Sequence, residues 1–318
     1  MREYTSKIAP LMREFEQYQL ASGRWGESSN QYLTLFDRHC AANFSESALL
    51  TQEMLDSWCG QRETEANNSC RSRIYPVVSF VRYLQKRGLT DVSVPTIPRQ
   101  EIRTYIPHAF TAEELHNFFD ACDTIVSYSE TKEQISQRLT VPVFFRLLYS
   151  SGIRTNEARM LRNSNVDLVH GILNIEYSKG HDQHFIVMHD SMLRLMREYD
   201  AAIKKMYPDR LYFFPARSSK CHTKQWVSVN FKKFWERSNS SYAVPYEFRH
   251  NYAIENINSW IDDGFDFNQK LYSLSKSMGH SVIESTKYYY SLVPRLADVM
   301  AALTNEDEVI PEVPYESY

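Results

Sequence analysis

Five positions carry side chains that together suit one kind of chemistry: Arg154, Lys179, Arg249, His280 and one tyrosine of the run Tyr288-Tyr289-Tyr290. Taken singly, each has a plain structural reading. Arg154 stands three residues before Glu157 and suits a surface pair across one helical turn. Lys179 precedes Gly180 and suits a turn, Arg249-His250 suits a solvated face, and His280 suits a cap or a core position. A phenol with a pKa near 10 is a poor attacker at neutral pH, so consecutive tyrosines suit packing. As a set, the five are what the transfer of a phosphodiester without a metal requires. They supply two planar cations, a proton donor, a further hydrogen-bonding group and a covalent nucleophile. Helical geometry alone does not choose among Tyr288, Tyr289 and Tyr290.

The elements that must position these residues are mainly helices. Ile8, Leu11, Met12 and Phe15 form one apolar stripe, and Thr51 is an N-cap for a helix running to about Trp58. Ile74, Val77, Val78, Val81 and Leu84 form another, with Gly88 placed to end it in the left-handed conformation. Residues 1–94 thus form a small all-helical domain. Pro95, Pro98 and Pro107 oppose regular structure and place a linker at residues 95–109. A second domain, 110–303, opens with the capping box Thr111-x-x-Glu114, flanked by Phe110 and Leu115 as a hydrophobic staple, and its helical pattern continues through Leu147 and Leu148.

Between Val166 and Met188 the period changes to two. Leu173, Ile175 and Tyr177 share one face, as do His184, Ile186 and Met188, which predicts a small antiparallel sheet with Lys179 at a hairpin tip. Helices follow over Met192 to Met206, Lys224 to Arg237, and through Arg249 to Trp260. Leu271 to Met278 is a helix stopped by Gly279, and Ser281-x-x-Glu284 caps a short helix carrying the three tyrosines. Leu292, Leu296, Val299, Met300 and Leu303 stripe a last helix, and an acidic tail occupies 304–318.

Composition removes competing chemistries. Nine glycines in 318 residues are few, and no Gly-rich phosphate loop is present, which counts against a P-loop or dinucleotide fold. Five cysteines without a Cys-x-x-Cys pair suggest neither a disulfide framework nor a zinc site and fit a reduced cytoplasm. Met1-Arg-Glu-Tyr-Thr lacks a signal-peptide run, and the most apolar stretch, Val141 to Tyr149, is interrupted by Arg146, so no export or membrane span is expected.

In this order the boxes resemble those of the tyrosine recombinases, the phage-integrase family. The resemblance lies in Ser151-Gly-Ile-Arg-Thr-Asn-Glu-Ala158, Tyr177-Ser-Lys-Gly180, Tyr246-Glu-Phe-Arg-His-Asn-Tyr-Ala253, Met278-Gly-His-Ser281 and Thr286-Lys-Tyr-Tyr289, and it extends over nearly the whole chain. It implies a helical core-binding domain that clamps DNA, followed by a catalytic domain. The implied activity is site-specific recombination or integration of mobile-element DNA through a 3′-phosphotyrosyl intermediate, without cofactor or metal. The family's nucleophile stands nine residues after the histidine of the Gly-His box, which selects Tyr289. Arg154 and Arg249 would then hold the phosphate, His280 would add a hydrogen bond, and Lys179 would be the general acid.

There are departures. Where the family has a histidine three residues before the second arginine, this chain has Tyr246, a phenol that donates and accepts hydrogen bonds but does not exchange a proton as readily near pH 7. Glu157 is its expected neighbour. The histidine often found two residues after the nucleophile is Ser291, and the basic residue that often follows the hairpin lysine is represented at best by His184. The alternatives are a type IB topoisomerase or resolvase-like strand transferase, or a DNA-binding regulator with an impaired site.

Double-stranded DNA with paired sites is the implied partner. Two basic stripes suit its phosphates: Arg71, Arg73, Arg82, Lys86 and Arg87, continuing to Arg99 and Arg103, and a second of Lys220, Lys224, Lys232, Lys233 and Arg237. The family also implies a homotetramer in which the Leu292–Leu303 helix is donated to a neighbour. The formal charge of −3 seems to oppose DNA binding, but Glu306, Asp307, Glu308, Glu312 and Glu316 of the tail account for five negative charges, and without them the charge is +2. The tail is therefore expected to fold over a basic groove or a neighbour. Deleting residues 305–318 should change assembly or the salt dependence of DNA binding; unchanged behaviour in a salt titration would leave the tail a solvated end.

Overall fold

Four helices form before the proline-rich segment: α1 Ala9–Ala21, α2 Glu27–Asn43, α3 Gln52–Cys59 and α4 Asn67–Gln85. The computed structural model describes residues 3–23, 25–101, 106–125, 131–176, 183–217, 220–260 and 267–280. These divide into two compact units at residue 105.

In the first unit the predicted stripes are buried. Ile8, Met12 and Phe15 meet Leu33, Phe36, Leu55 and Phe80 in one core. Thr51 caps α3 by accepting a hydrogen bond from the Met54 amide at 3.3 Å. α4 ends in a Schellman motif at Gly88, whose φ is +67°: Leu89 N–H donates to Leu84 O and Gly88 N–H to Gln85 O, both at 3.0 Å. No capping side chain marks α2, whose N-cap is Gly26.

Arg73 corrects the expectation of an unbroken basic stripe. It is 3% exposed. Its guanidinium donates to Glu65 at 2.8 and 2.6 Å and to Gly60 O at 2.9 Å, and it also reaches Trp58 O. Its position on α4 turns it inward, where charge must be paired. It ties α4 to the end of α3.

The second unit holds α5 Ala112–Asp123, α6 Lys132–Ser151, the short α7 Thr155–Arg159, strands β1 Val166–Asp167, β2 Ile172–Ile175 and β3 His184–Val187, then α8 Asp190–Met206, α9 Lys224–Ser238, α10 Glu247–Ser259 and α11 Phe267–Ser277. The chain is thus mainly helical with a small antiparallel sheet, whose order is β1-β2-β3. Leu173 pairs with Ile186 and Ile175 with His184, and all four side chains are buried while Phe185 and Val187 face outward. The alternation follows from the two-residue period of a strand.

The capping box at the head of α5 forms, with Glu114 N–H donating to Thr111 Oγ1 at 3.1 Å and Thr111 N–H to Glu114 Oε2 at 2.9 Å. The helical pattern expected to continue from there is instead two helices. α5 stops at Asp123, and α6 begins anew behind Thr131, whose hydroxyl accepts from the Gln134 amide. Thr131-x-x-Gln134 is a start signal that lies within an otherwise helical composition.

Phe118, Phe144, Phe145, Phe231, Trp235 and Phe248 fill the main core of this unit. A smaller cluster, Ala253, Ile257, Leu271, Leu274 and Met278, joins α10 to α11. That junction matters most for the site, because it brings the start of α10 against the end of α11. Tyr177, Lys179, the Ser281–Glu284 cap, the tyrosine run, the Leu292–Leu303 stripe and the acidic tail lie outside the described residues.

Arg73 beside Glu65 holds that carboxyl down at about 2. A carboxyl whose folded pKa is depressed contributes stability above its unfolded pKa and loses it as the pH falls toward the folded one. Urea unfolding of the full chain, followed by tryptophan fluorescence, should show this contribution lost between about pH 4.5 and pH 2. Arg73→Met, which strands Glu65, should cost roughly 3 kcal/mol at pH 7.

Candidate active site

Arg249 lies in the first turn of α10 and is 2% exposed. A guanidinium is always charged and carries five N–H donors, so its burial requires acceptors. Two helix ends supply them. Nη1 donates to Gly152 O, just past α6, and Nη2 to Met278 O, just past α11, both at 2.6 Å. The last carbonyls of a helix have no partner within it and sit at the negative end of its dipole, so both ends suit a cation.

The two turns are built by glycine. Gly152, with φ +61°, closes α6 by donating to Leu148 O at 3.1 Å. Gly279, with φ +63°, closes α11 in a Schellman motif: Gly279 N–H donates to Lys276 O at 2.9 Å and His280 N–H to Ser275 O at 3.0 Å. The Gly-His pair is therefore a helix stop that fixes the backbone of His280 beside Arg249. His280 Nε2 lies 3.0 Å from Arg249 Nη2. Arginine has no lone pair to offer, so Nε2 accepts and the ring proton resides on Nδ1.

Arg154 is the N-cap residue of α7, immediately after the Gly152 turn. Its Nη1 donates to Glu157 Oε1 at 2.8 Å and its Nη2 to Gly279 O at 3.0 Å, while its backbone N–H donates to Glu157 Oε2 at 3.0 Å. The pairing with Glu157 predicted by spacing is present, but it is not a surface pair: the Arg154 side chain is 15% exposed and that of Glu157 is buried at 2%. Arg154, Arg249 and His280, which are 126 residues apart at the extremes, thus share one pair of turns.

Tyr246 precedes α10 and is 43% exposed. Its ring stands edge-on to His250, with centroids 5.1 Å apart, whereas Glu157, its expected neighbour, is engaged by Arg154 and approached by His184. Burial, with Arg249 adding to it, lowers the pKa of His250 despite the opposing Glu247. Tyr246 also lines a recess of about 280 Å³ with Thr155, Asn156, Arg159 and Lys224. Lys179 and Tyr289 lie outside the described residues.

Of the basic residues, Arg82, Lys86, Arg87, Lys224, Lys232 and Lys233 are exposed, and Arg87 covers the Tyr83 ring at 3.7 Å. Arg71 is half-buried, with its guanidinium on Pro98 O. On α9 the lysines do not share one face: Lys224 joins the Tyr246 recess, and Lys233 lines a different cavity with Lys220 and Trp226. Among the described residues no group of three or more His, Cys, Asp or Glu side chains is placed to hold a metal, and no helix is long and apolar enough to cross a membrane. Burial pushes the thiols of Cys40, Cys59 and Cys122 up to about 12.

Two contacts were not legible in the motifs. Gly152 packs against the Tyr252 ring, and Gly279 against the His184 imidazole, so closely that a Cβ would fall 2.4 Å from Tyr252 Cδ1 or 2.5 Å from His184 Cε1. Both partners stand in the quoted boxes or the sheet pattern, but only the fold shows what they touch.

Comparison with known proteins gives one consistent picture. The model of the phage integrase family matches residues 108–294. The chain is 26% identical over 189 residues to an integrase/recombinase, y4rE, of Sinorhizobium fredii, covering 58% of this chain and 59% of that protein's length. It is 25% identical over 240 residues to the tyrosine recombinase XerC of Chlorobaculum tepidum, covering 70% and 68%. A crystal structure of the site-specific recombinase XerH bound to difH substrate shares the fold, with a TM-score of 0.58 at 15% identity over 87% of this chain and 79% of that one.

Gly152→Ala would force a side chain into both a left-handed backbone and the Tyr252 ring. It should lower stability by about 2 kcal/mol or more, measured by thermal unfolding. Gly26→Ala, where a Cβ meets nothing within 4 Å, should change stability far less.

Proposed function

Because the chain belongs to the phage integrase family, whose members break and rejoin DNA strands, we propose that it exchanges strands of duplex DNA at specific paired sites through a 3′-phosphotyrosyl link. The observation that carries this reading is the convergence of Arg154, Arg249 and His280 on the Gly152 and Gly279 turns. Two fixed guanidiniums on one patch suit the non-bridging oxygens of a phosphodiester, where negative charge accumulates during in-line attack.

Tyr289 is the nucleophile. Its phenol oxygen gives up its proton to solvent and bonds to phosphorus as the bond to the 5′-oxygen breaks, and Lys179 delivers the proton that the leaving oxygen takes up, regaining one from solvent. Attack by a 5′-hydroxyl from the partner strand reverses the step. The covalent link conserves the phosphodiester bond energy, so the reaction needs no nucleotide cofactor. Tyr246 contributes a hydrogen-bonding hydroxyl at the edge of the site rather than a proton carrier.

Both units contact DNA phosphates, through Arg82, Lys86 and Arg87 in the first and Lys224 and Lys232 in the second. Arg73 stays inside as a structural ion pair. The apolar pattern from Leu292 to Leu303 in the sequence supports assembly of four copies on paired sites, each donating that segment to a neighbour. The unpaired cysteines support work in the reduced cytoplasm.

A pool of nicked duplexes with randomised half-sites tests this, since the nick lets a short fragment diffuse away and traps the adduct. The unaltered protein should form a covalent complex visible on a denaturing gel, and Tyr289→Phe should form none. Arg249→Gln should slow formation by at least about 100-fold, the usual effect of losing a transition-state donor. DNA retention without any adduct would leave a DNA-binding regulator instead.

A further inference from the structure

We propose that His184 is a positioning residue for the arginines, bracing the Gly279 turn and steadying the Glu157 carboxylate that orients Arg154. This rests on the strand-transfer reading above. His184 begins β3, where strand pairing with Ile175 turns its side chain inward, and it is 7% exposed. Its ring meets two parts of the site at once. It fills the space where Gly279 would carry a Cβ, with Cε1, Nδ1 and Nε2 at 2.5, 2.6 and 3.0 Å from that point. Nε2 stands 4.0 Å from Glu157 Oε2.

These contacts close a circuit. Arg154 donates to Glu157 Oε1 and to Gly279 O, and His184 lies against both Glu157 and Gly279. Glu157 has a side chain 2% exposed, so its charge needs donors close by. A phosphate bound at Arg154 draws the guanidinium toward itself and away from the carboxylate. The other carboxylate oxygen accepts the Arg154 backbone N–H at 3.0 Å, and the His184 ring packed beside it, with Nε2 at 4.0 Å, limits how far Glu157, and with it Arg154, moves in response. The same ring limits movement of the turn whose carbonyls accept from Arg154 and Arg249. The anchor comes from the sheet, so β3 takes part in holding the phosphate-binding cations.

The test uses the full chain and the duplex it captures best from the randomised pool, made with either a phosphate or a methylphosphonate at the scissile position. The methylphosphonate lacks the charged oxygen that Arg154 would neutralise. His184→Phe keeps the ring volume and removes the nitrogens, His184→Leu repeats this without an aromatic ring, and His184→Gln keeps an amide nitrogen near the place of Nε2. Each variant is checked for thermal midpoint and DNA retention. With phosphate, the apolar variants should form adduct about 10- to 100-fold more slowly, the usual loss when a supporting contact is removed, while His184→Gln stays close to the unaltered protein. With methylphosphonate the apolar variants should be slowed little. Equal slowing on both substrates, or no slowing on phosphate, overturns this inference and leaves the strand-transfer reading intact. Absence of adduct from the unaltered protein overturns both.

Discussion

A buried arginine is costly unless its donors are satisfied, and the way Arg249 is satisfied determines the rest of the site. Its guanidinium is held by the carbonyls of Gly152 and Met278, one at the end of α6 and one at the end of α11. Removing such a charge from water without partners costs several kcal/mol, so the two helix ends must meet at this point whenever the unit folds. Once they do, the residues that follow each turn are brought together as well. Arg154 follows the first turn and His280 the second. Stability and the proposed chemistry therefore share one set of contacts.

Glycine makes this closeness possible in two ways. At Gly152 and Gly279 the backbone enters the left-handed region that ends a helix abruptly, and at both the missing side chain leaves room for a ring, Tyr252 or His184. A chain poor in glycine thus places two of its nine where no other residue fits. The scarcity that argued against a phosphate loop does not argue against phosphate. Here the oxygens would be met by side chains, set on helix ends by tight turns, instead of by backbone amides.

Much of this was legible in the residue order. Apolar stripes located α1 and α4, the Thr51 cap located α3, helical pattern located α8 to α11, the change of period located the sheet, and Thr111-x-x-Glu114 located the start of α5. The motifs named Arg154, Arg249 and His280, and the structure places all three together. Other features depended on tertiary context. The break between α5 and α6 rests on Thr131, a weak signal inside helical composition. Arg73 looked like one more basic residue of a surface stripe, because charge alone does not reveal which face of α4 turns inward. The likeness of Glu157 to a surface partner failed for the same reason: spacing predicts the pair with Arg154, and only packing shows that Glu157 is buried. His184 was visible merely as a histidine at a basic position, and its contact with Gly279, 95 residues away, follows from α11 lying on β3.

The central claim is that this cluster serves covalent phosphodiester transfer. It is tested most directly by mass spectrometry of the peptide–nucleotide product, obtained by digesting the trapped complex with protease and nuclease. The account predicts a peptide spanning residues 288–290 that carries a nucleotide joined through its 3′-phosphate to Tyr289. A nucleotide joined through a 5′-phosphate, or attached to any other residue, would contradict it.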